Sequence, residues 1–196
     1  MISIAFYDVY RRQNFSRSML RRQANRSTHG NTLAEFAPTL LLLFCIFTFP
    51  LIAYGTLGLR YCFLYNAARL AAQAGSQSKS FATDTSATQL SAVNIAKAVA
   101  TQSVQGFKGI ALTNITTQIA ICPLGGSTVT RQTTALAKPA DTNVNTYNIE
   151  VLVTGSISPL VTLPKSILGT VPGLTAPFVT SARCSVFSEF PQGLNQ

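Results

Sequence analysis

Charge is what this sequence has least of. Asp, Glu, Lys and Arg make up 11% of its 196 residues, against about a quarter in an ordinary soluble domain. A chain this poor in charge is not a water-facing globule from end to end. It has no tryptophan, and its one histidine is His29. Beyond residue 60 the acids are Asp84, Asp141, Glu150 and Glu189, widely separated in sequence. Catalysis needs convergent nucleophiles, bases or ligands, and this inventory offers none. C-x-x-C, H-E-x-x-H, P-loop and G-x-S-x-G patterns are all missing. The reading is therefore not an enzyme, with no cofactor and no metal ligands expected. Asn114-Ile115-Thr116 matches a glycosylation triplet, a pattern short enough to arise by chance.

What the chain does have is one long apolar run. Residues 36–59 contain no charge and are rich in Leu, Phe and Ile, closed by Arg60. A helix rises 1.5 Å per residue, so about 20 apolar residues cross a hydrocarbon core of about 30 Å. The run is long enough to span. Glu35 stands at its mouth. Residues 1–30 carry six arginines and one acid, Asp8. The net charge of +9 and the pI near 9.8 would suit a nucleic-acid partner. Arginines just before a span have a simpler role, because positive charge sets topology by staying in the cytoplasm. Residues 1–30 read as a basic, flexible cytoplasmic leader, with no nucleic-acid partner expected.

The run does not end the helix. Residues 61–73 are strong helix formers, and Gly75 is placed to terminate them. Residues 31–75 are thus expected as one helix, half in lipid and half projecting from it. Ser86 and Gln89 fit a capping box for a second helix. Its apolar face would be Leu90, Val93, Val99, Ala100 and Val104, with Gly106 at its end. Period-two alternation follows at Ile115, Thr117, Ile119 and Ile121, and again at Tyr147, Ile149, Val151 and Val153. Glu150 falls on the opposite face from the latter set. A short edge strand at 129–134 and a last strand over 178–190 complete the pattern. Residues 155–177, punctuated by Pro and Gly, read as a long loop, and 191–196 as a frayed tail. The expected fold is α+β: a long transmembrane helix with an extension, then a domain over residues 76–190. In that domain one helix packs on a three- to four-stranded antiparallel sheet.

Of the four cysteines, Cys45 lies in the run and Cys62 just past it. If the downstream region is outside the cytoplasm, a Cys122–Cys184 disulfide is chemically permitted. Cys122 has the opposite parity to Ile119 and Ile121, so spacing permits the bridge without fixing it.

The junction carries the functional signal. With Asn31 counted as +1, Glu35 is at +5, Phe36 at +6 and Gly30 at −1. The stretch Asn31-Thr32-Leu33-Ala34-Glu35-Phe36-Ala37-Pro38-Thr39-Leu40-Leu41-Leu42-Leu43-Phe44 resembles the processing site of the TadE/TadG-like pseudopilins of tight-adherence (Flp, type IV-like) pili. Asn66-Ala67-Ala68-Arg69 resembles that family's Ala-rich extension, and the last two strands its C-terminal half. Asn31 departs from the usual +1 residue, and Pro38 falls earlier than the family's proline.

The resemblance implies a minor pseudopilin in the bacterial inner membrane, its N-terminus cytoplasmic and its outer domain periplasmic or built into a pilus. A prepilin peptidase would cut between Gly30 and Asn31. Glu35 of one subunit would then pair with the new amino terminus of a neighbour, offsetting the burial of both charges. Its partners would be other pilins and the pilus assembly platform, in a hetero-oligomer. The alternative is an uncleaved single-pass signal anchor carrying an adhesive or binding outer domain.

Overall fold

The computed structural model describes residues 3–86, 89–160, 162 and 169–196, with side chains described from residue 36 onward. The chain divides into two compact units, Met1–Leu51 and Ile52–Gln196. The first is helical throughout its described length. Its helix, α1, runs Ser3–Ser76 and carries Pro38 and Pro50 inside it. The leader is therefore helical in backbone rather than irregular. Residues 3–30 hold no proline and carry six arginines, a residue that favours helix.

The second unit is a two-layer α+β fold. The C-terminal part of α1 and a second helix, α2 (Ala92–Gln105), form one layer. The other layer is an antiparallel sheet of β1 (Ile110–Pro123), β2 (Thr130–Gln132), β3 (Asn145–Ile157) and β4 (Phe178–Phe187). Its strand order is β2-β1-β3-β4. The two alternations become β1 and β3, in a register that sets Ile119 against Ile149 and Gln118 against Glu150. A bulge between Leu112 and Asn114 shifts β1 by a residue.

One face of the sheet holds the core. Tyr147, Ile149, Val151 and Val153 of β3 are buried against Leu64, Ala68, Ala71 and Ala72 of α1 and Ala92, Ala96 and Ala100 of α2. On α1 the buried positions 64, 67, 68, 71 and 72 form one stripe at helical spacing. Only Leu64 in it is large. The rest are alanines, which let the two helices and the sheet approach closely. Gly75 continues the stripe: a Cβ there would stand 3.2 Å from Ile149 Cγ2 and 3.5 Å from the Ala92 carbonyl. Gly75 is a packing residue inside α1, not the residue beyond its end.

The second helix starts later than the capping box predicts. Ser86 Oγ does accept from the Gln89 N–H at 3.1 Å, but the two residues form an isolated bridge, not a helix start. The cap is Ser91, whose side chain accepts from the Asn94 N–H. The buried face also differs from the expected one. Ala92, Ala96, Ala100 and Val104 are buried, and Val93 packs at the margin. At this close spacing the alanine row takes the contact and the larger side chains are pushed to the flanks.

The 191–196 tail is not frayed. Pro191–Asn195 forms a 3-10 turn, and Leu194 is buried in the core. The Gln196 carbonyl accepts from the Phe81 and Ala82 N–H groups at 3.0 and 2.8 Å. Gly193 is required here, because a Cβ would meet the Lys79 carbonyl oxygen at 1.7 Å.

Candidate functional site

The site is a helix, and its chemistry is that of the solvent around it. Phe36, Leu41, Phe44, Phe47 and Leu51 are all more than 60% exposed, and Leu42, Leu43, Ile46 and Ile52 more than 50%. They point in every direction around the axis, so no single face of the helix is the polar one. A helix apolar all round is stable only where something apolar surrounds it. The segment Phe36–Ser76 is long and apolar enough to cross a membrane: its most apolar 18-residue window has a mean hydropathy of 2.3, and the protein covers almost none of that window. Pro38 and Pro50 are tolerable in such a helix, because lipid-phase helices readjust around a lost N–H.

The residues expected to carry processing and assembly lie at the mouth of this run. Phe36 is exposed. The side chains of Gly30, Asn31 and Glu35 lie outside the described residues, though all three positions are helical.

At the other end of the run, the helix is fastened to the C-terminal α+β domain. The Arg60 guanidinium donates through Nη1 to the Ser158 carbonyl. It also lies over Gly109, at φ +89°, filling the space a Cβ would take, with its Cζ 2.6 Å from that point. Ser158 N–H donates to the Gly109 carbonyl at 2.9 Å, so one arginine braces both crossing segments. One turn earlier, Leu57 Cδ1 occupies the side-chain space of Gly173, at φ +85°. One turn later, Phe63 stacks on Phe107 with ring centroids 4.0 Å apart. The sequence marks Arg60 only as the end of the apolar run. Its partners are 49 and 98 residues away, and nothing local announces them.

The α+β domain has two polar constellations. Glu150 stands on the sheet face away from the core and is nonetheless only 3% exposed. Gln118 donates to it from the facing strand. Arg131 Nε reaches it at 3.1 Å from β2 and Arg183 Nε at 3.3 Å from β4. One carboxylate thus ties all four strands together. Both arginines remain about half exposed, so the pair energy is reduced by solvent. Asp84 accepts from the Ser91 N–H at 2.7 Å and from the Asn94 amide. Those bonds, the Ser91 backbone one foremost, hold its carboxyl below the usual carboxylate range.

Cys122 and Cys184 do not pair. Both are free. Cys184 packs against the core, whereas Cys122 accepts from the Asn148 amide at 3.7 Å on the opposite face. They register with Thr146 and Val151 of β3 respectively. A strand and a sheet plane separate the two sulfurs. The parity of Cys122 in the sequence was the signal.

Among the described residues no three His, Cys, Asp or Glu side chains come together as a metal site. A shallow cleft of about 310 Å³ beside Ala74, Gln77, Ser78, Lys79 and Gln89 brings no acid next to a base. Comparison with protein-family models, with curated proteins and with solved structures found no match.

Proposed function

We propose that the chain is a minor pseudopilin-like structural component of a tight-adherence (Flp) pilus assembly or related secretion machine. In this reading residues 36–59 cross the bacterial inner membrane, the arginine-rich leader lies in the cytoplasm, and the α+β domain lies outside. A prepilin peptidase cuts between Gly30 and Asn31. Glu35 and the freed amino group then direct assembly with other pilins on the assembly platform. The observation that supports this best is the continuity of α1. Within the second unit the helix passes from the apolar residues 52–59 into the core stripe of residues 64–72, as a subunit that packs helix to helix in a fibre requires. The four-strand clamp around Glu150 fits a structural role.

N-terminal sequencing of the membrane-extracted protein tests the reading. The expected first residue is Asn31. A functional protein that still begins at Met1 sinks it and leaves an uncleaved signal anchor. Gly30→Leu puts a bulky side chain at the scissile bond, where glycine lets the backbone enter a narrow site. The variant should run larger on a gel than the processed wild type. Equal mobility would move the cut elsewhere.

A further inference from the structure

The outer domain has two ends, and both expose apolar side chains. At one end are Phe107, Phe178 and Val179, 41%, 43% and 63% exposed, and at the other Phe187 and Phe190, 55% and 44% exposed. Composition does not separate them. Position does. The first end is the one that Arg60 holds. Gly109 opens into β1, Ser158 follows β3, and the sheet edge there pairs Ile110 with Ile157 and Ile157 with Phe178. Phe107 stacks on Phe63, one turn past the apolar run. Arg60 is the residue immediately after that run. The headgroup layer is only about 5–7 Å deep on each side of the hydrocarbon, about one helical turn. A domain fixed to the helix by Leu57, Arg60 and Phe63 has no room to stand clear of the surface.

We infer that this end of the domain is a lipid-contact rim. Phe107, Lys108, Leu160, Phe178 and Val179 sit at the boundary between headgroups and hydrocarbon of the bilayer that residues 36–59 cross. The inference rests on the reading of that run as a span, and it adds an occupant for a surface that spanning alone does not assign. The chemistry fits an interface. Phenylalanine and leucine side chains on an otherwise polar surface bury at the boundary of headgroups and acyl chains, and a lysine can lay its stem on the apolar side while its ammonium reaches phosphate. Leu160 is exposed two residues after the Ser158 carbonyl that Arg60 holds.

The chain has no tryptophan, so single-tryptophan variants report cleanly. The full-length protein would be reconstituted into phosphatidylcholine vesicles as Phe107→Trp, Phe178→Trp, Phe187→Trp and Leu43→Trp. The two rim tryptophans should show blue-shifted emission, quenching by a nitroxide carried near the lipid headgroup, and loss of quenching by aqueous acrylamide. Phe187→Trp should stay red-shifted and open to acrylamide. Leu43→Trp should be quenched by a nitroxide deep in the acyl chain. If Leu43→Trp is quenched in depth while both rim variants behave like Phe187→Trp, the rim is overturned and the span stands. If Leu43→Trp escapes the deep quencher, the span itself fails and the rim fails with it. Rim tryptophans shielded from acrylamide yet untouched by either lipid quencher would mean a protein partner on this surface, and would also overturn the assignment.

Discussion

Two stretches of α1 differ in the opposite sense from a simple hydrophobicity rule. Residues 36–59 carry the larger apolar side chains and are mostly exposed, whereas the buried positions of residues 64–72 are Leu64 and four alanines. The first stretch is apolar on all sides, as suits a helix that an apolar medium surrounds. The second is apolar along one stripe, because a sheet and a helix meet it there and the rest faces water. Side-chain size follows from this. Lipid accommodates bulk, whereas a layer already fixed by Gly75, Ala92 and Ile149 does not. How hydrophobic a helix is therefore says less about its neighbours than how its apolar positions are distributed around the axis.

The comparison breaks most sharply at leucines in the two stretches. Leu64→Ala should destabilise the outer domain by about 2–5 kcal/mol, seen as a lower urea midpoint of the detergent-solubilised protein. Leu51→Ala should leave that midpoint unchanged, and equal effects would mean that the two stretches share one environment. The size rule is sharpened by Ala68→Leu, an overpacking expected to cost about 1–3 kcal/mol in the same assay, with Leu42→Ala neutral. A neutral Ala68→Leu would show slack between α1 and the sheet.

Smaller effects belong to the sheet face away from the core. Glu150→Gln removes the charge shared by Arg131 and Arg183 and should lower stability by about 1 kcal/mol, less than a fully buried pair would lose. The difference from wild type should shrink in high salt. A difference unaffected by salt would assign the loss to hydrogen bonding instead. The smallest effect is at Asp84, which is exposed. Its folded carboxyl titrates below the unfolded one. Its contribution is therefore present above about pH 4, the unfolded value, and is lost as pH falls through the lower folded value. Asp84→Asn should narrow its gap to wild type as pH is lowered through that window, followed by thermal unfolding. A gap constant with pH would place the effect on the neutral hydrogen bonds to Ser91 and Asn94.

How much of this could be read from the chain depends on the range of the interaction. The span follows from length and lack of charge. The alternation of β3 gave its two faces correctly, Glu150 included. That the second face carries a nearly buried carboxylate was not legible, because its partners Arg131, Arg183 and Gln118 come from three other strands. The capping error has the same cause. Ser86 and Gln89 satisfy a local pattern, but Asp84 draws in the Ser91 N–H and the Asn94 amide and moves the helix start to Ala92. The tail was misread because its anchors, the N–H groups of Phe81 and Ala82, lie over a hundred residues away in sequence. At the junction the pattern Gly30, Asn31, Glu35, Phe36 is plain in the sequence, and its meaning awaits the cleavage experiment.

The same continuity of α1 has a mechanical side. From Leu57 to Gly75 one unbroken helix passes from the braces at Gly173 and Gly109 to the contact with Ile149 and Ala92. Between Leu57 and Gly75 the helix has no break at which a pull could be taken up. The load enters the domain at Arg60 and spreads over the packed row of residues 64–72, several contacts at once. The fold is held along several turns of the helix rather than hung from a point.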